Sequence, residues 1–286
     1  MKNIKKTGSV LIALVMMFTM LFSTAAYADS EDYISLGHDL TADEQAIVLD
    51  FLGVDDLEGK NVNYVTNAEE YQYLGKYVNA AQIGNRALSS VLITNKMGKS
   101  IDVETHNINY CTEDMYRNAL ATAGVSGVKV IVAGPFEISG TAALVGTIKA
   151  YEDMTGEDVT EEVVEACVDE LVTTGEVGDE VGNLEAVEAI IAQVKQKLAE
   201  NPDMSDDEII EAIRQAAKDA GIELSDANVQ RIKNMLSSLK GMDINWDNIK
   251  QQSESILKNF ENVLNSDEAK GFFARIMAWF QSLFGN

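Results

Sequence analysis

The chain has 286 residues, with 22 Lys and Arg against 46 Asp and Glu, and therefore a formal net charge of −24 at pH 7. Such a charge repels phosphate backbones and anionic lipid headgroups, whereas nucleic-acid binders usually carry basic patches, so the composition excludes nucleic-acid binding. The length and the hydrophobic content of 46% allow one large domain or two ordinary ones.

Residues 1–28 have the layout of a secretory signal peptide. Three lysines (Lys2, Lys5 and Lys6) precede an uncharged apolar run over 10–22, and Ala26-Tyr27-Ala28 places small residues where a signal peptidase reads them. The run is shorter than the roughly 20 residues that a helix needs to span a bilayer, so cleavage is favoured over a membrane anchor. We therefore expect a secreted or cell-envelope protein without a transmembrane span after cleavage.

Residues 29–155 predict a mixed α/β domain. The capping box Thr41–Glu44, in which hydroxyl and carboxylate oxygens accept from free backbone N–H groups, begins a helix that ends at Gly53. A short strand is expected over 61–66, and Asn67–Glu70 opens a second helix with the same cap chemistry. The β-rich runs 91–94 and 101–105 lie on either side of Gly98 and predict a hairpin.

Three further elements complete this part of the chain. A helix is expected from Thr112 to Gly124, followed by a buried strand over 128–133 that breaks at Gly134-Pro135. Ser139-Gly140-Thr141 then begins a helix that runs to about Met154.

After Gly156, helical periodicity replaces the strand-like runs. Four apolar stripes predict helices over 184–198, 209–220, 229–239 and 246–263, and Ser266 begins a last helix. Short polar connections favour antiparallel packing, hence a bundle or a set of helical hairpins over 156–286. The predicted fold class is α+β, with a small sheet in the N-terminal part.

The cysteines leave two alternatives open. Cys111 and Cys167 could pair outside the cytoplasm, where disulfides persist. Cys167, however, lies among apolar residues at helical spacing, which favours a buried thiol.

Several short segments share their order and spacing with one known family. They are Leu36-Gly37-x-Asp39-Leu40, Ile83-Gly84-x-Arg86-Ala87-Leu88-Ser89-Ser90, Met115-Tyr116-x-Asn118-Ala119-Leu120, Thr122-Ala123-Gly124, Pro135-Phe136-x-x-Ser139-Gly140-Thr141-Ala142-Ala143-Leu144 and Leu171-Val172-Thr173-Thr174-Gly175-Glu176. In these segments residues 34–175 resemble the YpuA-like exported proteins, catalogued as domain of unknown function 1002 (DUF1002). The resemblance implies a secreted or cell-envelope protein of Gram-positive bacteria and their relatives, and it brings no assigned activity or site.

Two segments are candidates for ligand binding. Ser139, Gly140 and Thr141 stand where a strand turns into a helix, and the free N–H groups of a helix N-terminus attract anions. The simpler interpretation, which we favour, is that Ser139 or Thr141 caps the helix. Arg86 with Ser89 and Ser90 could bind a carboxylate or a phosphate. Because acids are abundant, a structural ion pair is the favoured role for Arg86.

Catalytic and metal-binding motifs give no assignment. His38 and His106 both lack a Gly-x-Ser-x-Gly context, and a carboxylate pair cannot be chosen among 46 acids. The sequence has no Cys/His cluster of the zinc type, and its acidic stretches lack the EF-hand order. We therefore predict neither a metal nor a cofactor.

The C-terminal segment has a broad aromatic face at helical spacing. This face is formed by Phe272, Phe273, Ile276, Trp279 and Phe280, among others. Docking onto the preceding helices is the default interpretation, and binding of a partner protein is the alternative.

Two functions remain after these exclusions. The preferred one is a non-catalytic binding or interaction protein whose partner is a protein or a cell-wall ligand. The alternative is a hydrolase of wall polymer or peptide, with a site near Ser139, Thr141, Arg86 and Asn118. A concave pocket that joins these four residues and holds an acid or base with a shifted pKa would favour the hydrolase.

Overall fold

The structure is a computed structural model that describes residues 32–77 and 83–265, with side chains to residue 262. Within these residues it contains five strands and nine helices. The strands are β1 (Tyr33–Gly37), β2 (Asn61–Val65), β3 (Ser90–Asn95), β4 (Ile101–Ile108) and β5 (Val128–Ile138). The helices are α1 (Ala42–Leu52), α2 (Asn67–Leu74), α3 (Glu113–Thr122), α4 (Thr141–Thr155), α5 (Glu161–Val181), α6 (Leu184–Glu200), α7 (Asp206–Asp219), α8 (Asp226–Ser238) and α9 (Trp246–Asn265).

The five strands form one mixed sheet in the order β2-β1-β3-β5-β4. β1 pairs in parallel with β2 and antiparallel with β3. β5 pairs antiparallel with β3 and in parallel with β4. The chain thus has an α+β fold with the sheet in its N-terminal half, as the sequence predicts.

Helices cover both faces of the sheet. Alternation along the strands sends Ile34, Leu36 and Leu92 into a small core under α1. Val91 and Ile93 point to the other face and join the main core. That main core also takes in α3, α4 and α5, so the sheet lies between one helix on one side and several on the other.

The later helices form a second core that shares α5 with the first. Val164, Val168 and Leu171 of α5, spaced as one helical face, belong to the sheet-side core, whereas Val177 belongs to the helical core of α6, α7 and α8. α9 returns to the sheet-side core with Ile249. The position in the sequence where strands give way to helices is therefore not the boundary between the two cores, because α5 contributes to both.

Local signals in the sequence are largely confirmed. The capping boxes Thr41–Glu44 and Ser205–Glu208 are present, and Thr112 caps α3. The four predicted stripes correspond to α6, α7, α8 and α9. The second capping box is shifted by one residue, because Thr66 and Glu69 form it instead of Asn67 and Glu70.

The predicted hairpin is wrong. β3 and β4 are consecutive in sequence, but β5 lies between them in the sheet. The predicted break at Gly134-Pro135 is also wrong, because β5 continues to Ile138. The pairing register shifts there, between His106 and Ile108 of β4, and Pro135, which has no N–H, lies in this irregular stretch.

Both cysteines are free and buried. Among the described helices, none is long and apolar enough to cross a membrane. The predicted signal peptide and the aromatic segment after Ser266 lie outside the described residues.

Candidate functional site

One cavity gathers most of the predicted ligand-binding residues. It measures about 370 Å³ and lies where β5 turns into α4, beside α2 and the loop that leads into β3. Five of the candidates line it, namely Arg86, Ser89, Ser139, Gly140 and Thr141. Its other lining residues include Glu70, Ile83 and Phe136.

Two of the candidates lie elsewhere or serve the fold. The Ser90 hydroxyl accepts from the Gly37 N–H at 3.1 Å and donates to the Leu88 carbonyl at 3.3 Å, so it joins β1 to β3. Asn118 is buried in α3, where its side-chain amide donates to the Glu188 carbonyl at 3.4 Å. It does not line the cavity.

The N-terminus of α4 forms one wall of the cavity. Gly140 precedes the helix with φ 83°, and no side chain caps this end. The favoured interpretation that Ser139 or Thr141 caps the helix is therefore wrong. Their hydroxyls lie 3.4 Å from each other. The first turn also has no acidic residue.

Close packing explains why glycine stands at position 140. The Tyr116 hydroxyl donates to the Gly140 carbonyl at 2.5 Å. A Cβ at this position would lie 2.5 Å from that hydroxyl oxygen and 2.6 Å from Ile108 Cγ2. A left-handed residue followed by helical ones turns successive N–H groups toward one concavity, which is a common anion-binding geometry.

Several hydrogen bonds hold the loop that carries Arg86 in place. The Arg86 guanidinium donates to both carboxylate oxygens of Glu44 and, at 2.9 Å, to the Asp39 carbonyl. This ion pair holds the pKa of Glu44 down to about 2. The Ala87 N–H donates to the Asp39 carboxylate at 2.8 Å, and the Tyr71 hydroxyl donates to the Gly84 carbonyl at 2.9 Å. The predicted structural ion pair of Arg86 is thus confirmed, and its effect is to hold the cavity wall in place.

Ser89 is the buried polar side chain in this loop that can bind a ligand. It is 6% exposed and lines the cavity. Within the described part of the chain, its hydroxyl has no hydrogen-bond partner. The residue is buried but its hydroxyl oxygen is open to the cavity, so a ligand or water there can form a hydrogen bond with it.

Glu70 provides the acidic group of the cavity. It is 3% exposed, and its carboxyl accepts a hydrogen bond from the Asn67 side-chain amide at 2.8 Å. Burial raises its pKa to about 7, and the neighbouring Asp39 carboxylate acts in the same direction. Sequence reasoning placed Glu70 in a capping box, and the one-residue shift of that box to Thr66 and Glu69 is what turns Glu70 inward.

A second cavity, of about 510 Å³, lies between α4, α5 and the segment before α9. Several carboxylates surround it, including Glu157, Asp158, Glu162 and Asp243. It contains none of the predicted ligand-binding residues. No group of three or more His, Cys, Asp or Glu residues in the described ranges could hold a metal ion.

Fold and cavity together define an α+β protein with a pocket of about 370 Å³ at the start of a helix. The family model described as "Protein of unknown function (DUF1002)" matches residues 36–256, and the chain belongs to this family. It is similar to the "Uncharacterized protein YpuA" of Bacillus subtilis (strain 168), with 40% identity over 279 residues, which cover 96% of this chain and 95% of that protein. No solved structure matches the chain.

Proposed function

We propose that this protein is a non-catalytic binding protein for a small polar ligand, held in the cavity between Ser89, Glu70 and the N-terminus of α4. The observation that carries the proposal is that three groups line one space: a helix N-terminus without a side-chain cap, the Ser89 hydroxyl, which has no hydrogen-bond partner among the described residues, and a buried carboxyl. Its volume of about 370 Å³ falls within the roughly 300–1,000 Å³ that ligand pockets occupy.

Thermal melting of the purified protein against a ligand library tests this proposal. The library contains amino acids, short peptides, wall fragments, sugars, nucleotides and divalent ions. A ligand that binds only the folded state raises the melting temperature by mass action, by an amount that grows with its concentration. We expect at least one compound to raise the midpoint, and Ser89→Ala or Glu70→Gln to reduce that rise.

Glu188→Gln is the matched control for Glu70→Gln. Glu188 is also 3% exposed, its pKa is also raised to about 7, and it lies outside the cavity. The same rise with and without the cavity variants would exclude this cavity as the binding site. A library without any shift would reject the proposal and would direct attention to protein partners, through pull-downs with and without residues 266–286.

We also propose that the protein acts outside the cytoplasm, after removal of residues 1–28. The lysines, the apolar run and Ala26-Tyr27-Ala28 of the sequence support this location. Expression in a Gram-positive host, followed by mass spectrometry of the N-terminal peptide, should find Asp29 at the start of an extracytoplasmic protein. Ala28→Asp should block processing, and an intact N-terminus in the cytoplasmic fraction of the unaltered protein would contradict export.

Hydrolysis of wall polymer or peptide is the second candidate function. The observation in its favour is that Glu70, with a pKa of about 7, lines the same cavity as the hydroxyls of Ser89, Ser139 and Thr141. Against it, Glu70 makes no hydrogen bond to these hydroxyls in the described residues, and Asn118 lies elsewhere. Product release from wall fragments that disappears in Glu70→Gln and persists in Glu188→Gln would establish the hydrolase and reject the non-catalytic proposal.

A further inference from the structure

The cavity offers a set of donors suited to a carboxylate. The N–H groups of Thr141 and Ala142 follow the left-handed Gly140 at the start of α4, where there is neither a side-chain cap nor an acidic residue in the first turn, whereas the Ala143 N–H donates to the Gly140 carbonyl at 3.0 Å. Each of the other eight described helices begins with a Ser, Thr or Asn oxygen that accepts from a first-turn N–H. The Ser89 hydroxyl, 6% exposed and without a partner among the described residues, lines the same space. Anionic oxygens are the groups that such donors bind best.

The cavity also offers an acceptor suited to a cation. The Glu70 carboxyl lines it and, within the described residues, receives one hydrogen bond, from Asn67, although a carboxylate can accept about four. The charged groups of the neighbouring segments are already engaged. Asp39 accepts from the Ala87 N–H, Arg86 is paired with Glu44, and Lys149 of α4 is paired with Glu69.

The donors at the α4 N-terminus and the Glu70 acceptor together exclude a ligand that is purely anionic or purely cationic. Among the described residues, Glu70 and Arg86 are the charged ones that line the cavity, and Glu44 neutralises Arg86. A purely anionic ligand would meet the Glu70 carboxylate, and a purely cationic ligand would meet the positive end of the α4 dipole. A molecule with both charges satisfies both walls and leaves no buried charge unpaired.

We propose that the ligand is a small zwitterion of the amino-acid type, a free amino acid or a short peptide. Its carboxylate binds the N–H groups of Thr141 and Ala142 and the Ser89 hydroxyl, and its ammonium group binds Glu70. This inference rests on the proposed binding function and names the chemical class of its ligand.

Calorimetric titration with matched probes tests the inference. The probes are the standard free amino acids and alanylalanine, each compared with its N-acetyl derivative, which lacks the cation, and its C-terminal amide, which lacks the carboxylate. We expect a free zwitterion to bind at least tenfold more tightly than either blocked form. Equal binding of the N-acetyl or amide form would overturn the inference.

Failure of the inference can be told apart from failure of the binding function. If no amino acid or peptide binds while a sugar, nucleotide or ion raises the melting temperature through this cavity, the zwitterion is rejected and the binding function stands. If no compound raises it, both are rejected.

The pH dependence of binding supplies a second readout. Glu70 must be ionised to accept an ammonium group, and its pKa in the empty cavity is raised to about 7. The ionised fraction of Glu70 therefore rises about tenfold between pH 6 and pH 8. For a free amino acid, whose ammonium group keeps its proton over this range, the dissociation constant should fall about tenfold. Glu70→Gln should abolish this dependence and weaken binding, while Glu188→Gln should leave both unchanged. Tighter binding at pH 6 than at pH 8 would overturn the assignment of the cation to Glu70.

Ser89→Ala keeps the inference testable if Glu70→Gln fails to fold. This variant removes a hydroxyl without a partner in the described residues, so the unliganded protein should melt close to the parent temperature. The zwitterion should bind it several-fold more weakly, with the pH dependence intact. Unchanged affinity would remove Ser89 from the carboxylate site and overturn the proposed donor set.

Discussion

Glu188 is a buried carboxyl whose ionisation affects the stability of the fold. It is 3% exposed, and burial raises its pKa from 4.5 to about 7, although the Thr112 hydroxyl donates to it. The carboxyl of the unfolded chain loses its proton at lower pH than that of the folded protein. The free energy of unfolding is therefore highest below pH 4.5, falls between pH 4.5 and 7, and is level above that range as far as this group is concerned.

Glu188→Gln should remove this loss. The amide resembles the protonated carboxyl and can still accept from Thr112, so the variant should be more stable than the parent at pH 8, by up to about 3 kcal/mol. At pH 5 the two should differ by less than about 1 kcal/mol. Urea unfolding at both pH values measures the difference, with the exposed Glu211→Gln of α7 as control. Equal stability of Glu188→Gln and parent at pH 8 would contradict the shifted pKa.

A buried ion pair joins three helices. Lys195 of α6 is fully buried and donates to Glu170 of α5 at 2.7 Å, to the Asn118 carbonyl of α3 at 2.7 Å and to the Thr122 hydroxyl of α3 at 2.8 Å. The Thr122 hydroxyl in turn donates to the other oxygen of Glu170 at 2.7 Å. Because all three ammonium donors are used, this lysine is a structural link between the sheet side and the helical side.

Replacing one partner of this pair should lower the free energy of unfolding far more than replacing both. Lys195→Met leaves the Glu170 carboxylate buried and uncompensated, for which about 3–5 kcal/mol is expected. Lys195→Met combined with Glu170→Gln should regain a large part of that loss, because the amide oxygen still accepts from Thr122. A double-mutant cycle by urea unfolding measures the coupling energy.

The exposed pair Lys250–Glu200 is the matched control. Its atoms lie 3.1 Å apart, but its side chains are 40% and 56% exposed, so its coupling should not exceed about 1 kcal/mol. Similar coupling energies for the two pairs would contradict the view that burial makes the Lys195–Glu170 link strong.

The elements that the sequence predicts well are those fixed by neighbouring residues. Thr41 with Glu44 and Ser205 with Glu208 form capping boxes because each pair is three residues apart, and the pattern is visible in the sequence. The apolar stripes of α6 to α9 are local in the same sense. The order of the strands in the sheet is not fixed by neighbouring residues. β5 lies between β3 and β4 through contacts that are distant in sequence. The Gly between the two β-rich runs therefore predicted a β3–β4 pairing that does not form.

The candidate site could be predicted only in part, because some of its features are local in sequence and others depend on packing. Ser139, Thr141, Arg86 and Ser89 come from two segments whose turn and helix-start chemistry is visible in the sequence, and one cavity joins them. Glu70 was missed because Thr66 and Asn67 can both cap a helix and both have Glu three residues later. Only the packed structure shows that Thr66 caps α2 and that Glu70 is buried.

At the scale of the whole molecule, the boundary that the sequence indicates near residue 155 marks a change of secondary structure. Elements before this boundary nevertheless pack against elements after it. The stretch of α3 from Met115 to Thr122 is buried throughout, against elements from both sides of that boundary. The amide of Asn248 in α9 donates to the Val125 carbonyl at 2.8 Å, and that of Gln252 to the Lys99 carbonyl at 2.6 Å. An independent N-terminal part would have to expose these surfaces and leave those carbonyls unpaired.

We therefore expect the protein to unfold in one cooperative transition. Ile93→Ala in the sheet and Ile213→Ala in the helical core both truncate a fully buried side chain, at an expected cost of about 2–5 kcal/mol each. Each should lower a single midpoint that far-UV circular dichroism and aromatic fluorescence report alike. A second transition in the parent, or an Ile213→Ala effect confined to the helical signal, would show instead that residues 29–155 and 156–286 unfold as separate units. Cooperative unfolding would mean that a ligand bound at the α4 N-terminus stabilises the distant helices as well, because local stability is then set by the whole fold.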